Sequence, residues 1–240
     1  MTITSLQSKS ATVHVRPFIS LGKADHGWLK ANHHFSFASY YDPERMGQGH
    51  IRVWNDDDIA PQSGFPPHGH DNMEIITYVR EGAITHRDNM GNTGRTMAGD
   101  VQVMSAGTGV QHSEYNLEDT PCRLFQIWIV PRQRNVAPRW DQRQFPGKTD
   151  GGFNILASGY DDDDALMIHA DARVLGAKLV KGNSIAHDIA EGRNAYLVVS
   201  KGRISIGETM LTERDGAAIS AGHLQITALE DAELVMVDSV

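Results

Sequence analysis

A chain of 240 residues, 40% of them hydrophobic and 22% charged, has the length and mix of one large or two modest soluble domains. Its net charge of −8 argues against the basic surface that nucleic-acid binding needs and, more weakly, against an anionic membrane as partner. The single cysteine, Cys122, excludes an internal disulfide and reads as a buried, inert thiol within a strand.

Residues 1–10 contain no basic segment leading into an apolar core, so no secretion signal is expected there. No apolar run approaches the length of a membrane span, and a soluble cytoplasmic protein is expected. Strands are predicted where β-branched and aromatic residues cluster, at residues 75–79, 101–104, 124–130, 196–199 and 234–237. Turns are signalled by Glu81-Gly82, Asn89-Met90-Gly91, Ala98-Gly99-Asp100 and Lys201-Gly202. Nothing carries a long 3.6-residue period, so the chain is expected to be all-β, built as sandwiches or barrels. Asp56-Asp57-Asp58 and the four aspartates at 161–164 are expected in solvated loops, because neither run has the spaced ligands and glycine of a calcium loop.

The chain echoes itself. The segment around Glu81-Gly82-Ala83-Ile84-Thr85 returns as Lys201-Gly202-Arg203-Ile204-Ser205, 120 residues later. Gly99-Asp100, followed by Ser105-Ala106-Gly107, returns as Asp215-Gly216, followed by Ser220-Ala221-Gly222; the last glycines lie 115 residues apart. A repeat of half the chain length implies two copies of one barrel. Proline- and glycine-rich stretches at 131–138 and 144–152 put the division near 145, giving domains 1–145 and 146–240.

Two short motifs carry chemistry. His68-Gly69-His70 and His112-Ser113-Glu114 each place two donors two residues apart, and on a strand such residues share a face. Facing strands would thus offer three imidazoles and one carboxylate to one first-row transition metal, with positions left for substrate or dioxygen. Either motif alone is weak in a chain with twelve histidines; their order, and the turns before each, give them weight. Adjacent His33 and His34 face opposite ways on a strand and cannot share one site, and His50 and His86 are read as surface or hydrogen-bonded groups. Phe65, Phe125 and Trp128 are read as ordinary core that could also line an aromatic-accepting pocket.

Several stretches resemble the pirin family, a branch of the cupin superfamily. They include Gly27-Trp28-Leu29, residues 35–43 and 67–79, His86-Arg87-Asp88, residues 104–109, residues 112–116 and Gln126-Ile127-Trp128. The resemblance runs from about 22 to 143, continues more loosely to the C-terminus, and is closest to bacterial pirin-like proteins with quercetin 2,3-dioxygenase activity. It implies a bicupin: two double-stranded β-helix (jelly-roll-like) barrels packed together. It implies one divalent metal, iron(II) by the family pattern, on His68, His70, His112 and Glu114 of the first barrel. Nitrogen and oxygen donors alone leave iron, manganese, cobalt, nickel, copper and zinc open. Glu74 has the place and parity of the first-motif glutamate that many cupins use, and is read as a group outside the ligand set. The second barrel offers only His187 and His223 near its echoes, and is expected to have no metal.

The activity implied is opening of the heterocyclic ring of a flavonol such as quercetin by dioxygen, with carbon monoxide released and Glu114 as base. The partners implied are a flavonoid-like small molecule and dioxygen. The competing expectation is a non-enzymatic, metal-binding regulatory or redox-sensing protein, since animal pirin is regarded as a transcriptional cofactor and fold does not dictate function.

Overall fold

The computed structural model describes residues 9–145 and 152–240. Residues 1–8 of the segment read for a secretion signal and residues 146–151 of the second stretch read as linker lie outside the described residues. The first half contains β1 (Val13–Arg16), β2 (Gly22–Asp25), β3 (Leu29–His33), β4 (Ile51–Ile59), β5 (Ser63–His70), β6 (Glu74–Glu81), β7 (Ala83–Asp88), β8 (Thr93–Met97), β9 (Asp100–Ser105), β10 (Val110–Asn116), β11 (Cys122–Ile129) and β12 (Arg139–Gln144). The second half contains β13 (Asn154–Ser158), β14 (Leu166–Met167), β15 (Ala172–Leu179), β16 (Ser184–Ile189), β17 (Asn194–Lys201), β18 (Arg203–Ile206), β19 (Thr209–Thr212), β20 (Gly216–Ile219), β21 (Gly222–Ala228) and β22 (Ala232–Ser239). Among the described residues the only helical segment is the 3-10 turn Phe18–Ser20, and no helix is long and apolar enough to cross a membrane.

The repeat read in the sequence is a repeat of topology. A large sheet ordered β12-β9-β6-β11-β4-β3-β2 faces a small sheet β5-β10-β7-β8. In the second half β1-β20-β17-β22-β15-β13-β14 faces β16-β21-β18-β19, the same winding. Gly82 and Gly202 make the corresponding turns after β6 and β17 with φ of 74° and 80°. A side chain at either would also meet backbone of the neighbouring turn, Pro121 O at 2.7 Å and Asp231 O at 2.2 Å, so both turns need glycine. The first half also lends an edge strand to the second barrel. β12 extends the large sheet of the first barrel, while β1, at the other end of the chain, takes the matching place beside β20 of the second.

The two large sheets pack back to back. Alternate residues of β4, β6 and β11, among them Trp54, Ile76, Tyr78, Phe125 and Ile127, meet Val174, Tyr196, Val198, Val235 and Val237 in one apolar cluster. Full burial of such side chains contributes ~1.5–3 kcal/mol each. Phe125 therefore belongs to core between the barrels. The other face of each large sheet points into its own barrel, so these strands are buried on both sides. Asp56-Asp57-Asp58 departs from the solvated loop expected of it. The run lies in β4, where alternation sends Asp56 outward to Arg80 and Arg214, Asp57 into the barrel, and Asp58 to Arg123. Ion pairing is what allows Asp56 to be fully buried.

The barrel interiors differ in one row. In the first barrel Gln102, Thr77, Gln126, Asn55 and His33 are successive cross-strand partners on β9, β6, β11, β4 and β3. The matching row of the second barrel is Ala217, Leu197, Met236, Leu175 and Ile155. Those five belong to its apolar interior. One barrel is thus filled with hydrocarbon, and the other carries a polar layer between an inner cluster around Ile84 and Leu124 and an outer one around Ile75 and Met104.

Candidate metal centre

The H-x-H motif ends β5, and β10 pairs with it so that His112 lies opposite His68 and Val110 opposite His70. The register shifts between His112 and Glu114, where β5 has one extra residue at Pro66-Pro67. Proline has no N–H to give to the ladder, so a bulge forms there, and bulges re-aim side chains. The Pro66 carbonyl it frees lies 2.8 Å from His68 Nδ1. With Nδ1–H donated there, His68 Nε2 is left with its lone pair.

The three imidazoles converge. Ring centroids are separated by 4.9 Å (His68–His70), 4.4 Å (His68–His112) and 5.0 Å (His70–His112). One donor atom from each lies within 4.8 Å of the others. Nε2 of His112 is buried and has no hydrogen-bond partner. Burial and the neighbouring imidazoles push His112 down to about 2, and burial and His68 push His70 down to about 4. Both are neutral near pH 7, the form that coordinates a metal, and an ion would occupy the orphaned lone pair.

Glu114 lies on the same strand face, deeper in the barrel. Its Oε1 accepts from Gln102 Nε2 at 2.7 Å and its Oε2 from Gln126 Nε2 at 2.9 Å. Thr77 Oγ1 accepts from Gln102 Nε2 at 3.2 Å and donates to Gln126 Oε1 at 3.0 Å, which turns the Gln126 amide N–H groups toward the carboxylate. Burial raises Glu114 to about 7 against these donors, which favour the charged form. Oε2 accepts a single donor, so a lone pair remains there for an ion or a proton. A carboxylate oxygen of Glu114 also lies within 4.8 Å of donor nitrogens of His112 and His86, a second group that shares His112 with the first.

Glu74 faces elsewhere. It shares its side of β6 with Ile76 and Tyr78, toward the second barrel, and accepts from Ser105 Oγ at 2.6 Å. The parity read for it from spacing fails because Ile75 and Thr77, not Glu74, point into the barrel.

A cavity of about 590 Å³ opens beside the imidazoles, walled by Trp28, Leu29, Phe37, Phe65, Ile75 and Trp128. Phe65 and Trp128 are thus both core and cavity wall. His33 is buried, hydrogen-bonded to Asn55 at 2.8 Å and reaches the cavity, while His34 turns the other way to Tyr196 in the second barrel, also at 2.8 Å. Asp57 lines the same cavity. Its Oδ1 is buried without a partner, and burial beside Asp56 and Glu114 holds its carboxyl well above the usual range. Gln102, Gln126, Thr77, Asn55 and Asp57 escape a motif reading. Their signal is a polar residue between apolar neighbours in mid-strand, as in Val101-Gln102-Val103 and Phe125-Gln126-Ile127.

Among the described residues the second barrel has no counterpart to this site. His86 and Ile206 each lie four residues beyond their glycine turn; Glu114 pairs with His86, and Ile226 with Ile206. Isoleucine therefore stands where Glu114 does, and Leu224, two residues earlier, where His112 does. His187 and His223 instead pair with Asp238 and Asp188.

Residues 14–129 match the family model Pirin, and residues 155–239 match the model Quercetinase C-terminal cupin domain. A pirin-like protein of Caulobacter vibrioides is 59% identical over 93% of this chain and 98% of its own. The chain belongs to the pirin family. A quercetin 2,3-dioxygenase of Escherichia coli K12 is 40% identical over 94% of this chain and 98% of its own. The crystal structure of the bacterial pirin YhhW from Escherichia coli in complex with nickel(II) superimposes with a TM-score of 0.90 at 39% identity, covering 95% and 99% of the two chains. The pirin bicupin is thus the fold of this chain.

Proposed function

We propose that this pirin is a metal-dependent dioxygenase that opens the heterocyclic ring of a flavonol, with His68, His70, His112 and Glu114 as metal ligands. The observation that carries the reading is the orphaned Nε2 of buried, neutral His112, converging with two further imidazoles at the wall of an aromatic-lined cavity. The nickel(II) complex of YhhW and the dioxygenase name of the Escherichia coli relative support it. Iron(II) is the metal we assign to turnover. The ion supplies positive charge that acidifies the substrate hydroxyl and a path for electrons to dioxygen.

The chain's own residues do the rest. Trp28, Phe65 and Trp128 offer flat apolar walls to an aromatic ring system and keep water from it. Glu114, tuned near neutrality, takes the flavonol 3-hydroxyl proton. Flavonol and dioxygen give one depside ester and one carbon monoxide, so no other reductant or oxidant is needed. The test is aerobic quercetin consumption with carbon monoxide detection on iron(II)-reconstituted protein. Turnover abolished by a chelator is expected; tightly bound metal without turnover on several flavonols would instead support the regulatory reading.

Ligation by Glu114 has its own signature. With its carboxyl raised to about 7, metal binding below that pH must displace a proton, and above it does not. Affinity should weaken as pH falls through 7, by up to about tenfold per unit for that one proton. Glu114→Gln should lose this increment, so its plot of log Kd against pH between 5.5 and 7 should be shallower than wild type by up to one. Parallel plots would remove Glu114 from the ligand set.

A further inference from the structure

We propose that His86 and Asp88 act as a positioning pair for His112, fixing its ring and its tautomer so that the Nε2 lone pair is the one presented to the metal. This rests on His112 being a ligand. His86 lies outside both metal motifs, yet both it and Asp88 have fully buried side chains beneath the site. Asp88 ends β7, and its carboxylate is held in place. Oδ1 accepts the backbone N–H groups of Met90 at 2.9 Å and Asn92 at 3.0 Å, and Oδ2 accepts Asn92 Nδ2 at 2.9 Å. Oδ2 also lies 3.0 Å from His86 Nε2. An ionised carboxylate only accepts, so His86 donates from Nε2.

The other end of the ring then follows. His86 Nδ1 lies 3.3 Å from His112 Nδ1, and two facing nitrogens need one proton between them. A neutral His86 protonated at Nε2 has only a lone pair at Nδ1, so the proton belongs to His112 Nδ1. The lone pair of His112 is thereby left on Nε2, the buried nitrogen without a partner. Trp140 of β12 stacks on His86, centroids 4.9 Å apart and planes 8° from parallel, and stops the ring from turning. The result is a carboxylate–imidazole–imidazole chain ending at the metal. Outer partners of this kind orient a ligand and raise its basicity, and losing one typically costs about 10–100-fold in metal affinity.

The alternative is that His86 is itself a ligand, since its donor atom, with those of His112 and Glu114, forms the second group within 4.8 Å. Nickel(II) affinity, measured by chelator competition on metal-free protein, separates the two. Asp88→Asn keeps size and the Oδ1 acceptor of the turn but sets an amide donor against His86 Nε2. That reverses the proton order along the chain, and affinity should fall by about 10–100-fold. His86→Leu should fall similarly. His86→Asn places a carbonyl oxygen where Nδ1 was, can accept from His112 Nδ1–H, and should recover to within a few-fold of wild type. The ¹⁵N shifts of metal-free protein should show His112 protonated at Nδ1, and protonated at Nε2 in Asp88→Asn.

Wild-type affinity in Asp88→Asn overturns the proposal. So does a His86→Asn variant no better than His86→Leu, the result expected of a lost ligand. An Asp88→Asn variant that misfolds leaves the His86 pair of variants and the wild-type ¹⁵N shifts to decide. His112→Ala is the control on the underlying reading: if it binds nickel(II) as tightly as wild type, His112 is no ligand and the proposal falls with it, whatever Asp88→Asn does.

Discussion

Glu114→Gln is expected to slow flavonol consumption by about 10²–10⁴-fold at saturating metal, the usual worth of a positioned general base. The substitution keeps the side chain's size and one oxygen but removes basicity. It also meets a cradle built for a carboxylate. Gln102 and Gln126 each donate to a different oxygen, so the new amide must turn its NH₂ toward one of these donors. Losing that hydrogen bond costs about 1–3 kcal/mol. Occupancy and thermal stability should therefore be measured on the same samples. The signature of a base is turnover lost at full metal occupancy. Glu74→Gln is the matched control, because that carboxyl faces the second barrel and Ser105. It should turn over near the wild-type rate. A Glu114→Gln variant at wild-type rate, or a dead Glu74→Gln with its metal retained, would reassign the base.

The strands and the repeat could be read from sequence because both depend on local pattern. β-branched and aromatic runs stop at glycines such as Gly82 and Gly202, and only glycine fits those turns. The histidines could be read because an i, i+2 pair on any strand shares a face. What could not be read depends on which face of a doubly buried strand points where. In β6 both faces are buried, so the alternation does not say whether Glu74 or Ile75 enters the barrel, and the parity that spacing gives Glu74 does not hold, although that residue stands outside the cluster of imidazoles. In β4 the acidic run looked solvated because its partners, Arg80, Arg123 and Arg214, are distant in sequence. The polar row His33, Asn55, Gln126, Thr77 and Gln102 comes from five strands and exists only once their register is known. It is also what separates the two barrels. The second keeps the winding and the glycine turns, while its corresponding row is apolar, so the repeat carries the fold and the polar row, which holds Glu114 through Gln102 and Gln126, is confined to one barrel.

His112→Ala is expected to lower metal affinity by well over about 100-fold, more than loss of an outer partner costs, while the barrel stays folded. The fold should survive because apolar packing holds it. The clusters around Ile84 and Leu124 and around Ile75 and Met104 need no ion, and the removed ring opens onto an existing cavity instead of creating a closed void. His68→Ala and His70→Ala should behave alike, since each removes one of three convergent donors. Chelation of wild type should likewise lower the melting temperature without unfolding the chain; the stabilisation lost is about 2.7 kcal/mol when free metal had stood at 100 times its Kd. Metal content by elemental analysis, beside circular dichroism of the same samples, separates the effects. His223→Ala in the second barrel should keep one metal per chain, because that half-exposed ring pairs with Asp188 on the outer face of β21, while its neighbours Leu224 and Ile226 point into an apolar interior. Metal lost from His223→Ala and kept in His112→Ala would put the centre in the wrong barrel. Cooperative unfolding of wild type on chelation would make the ion a structural element and weaken the catalytic reading.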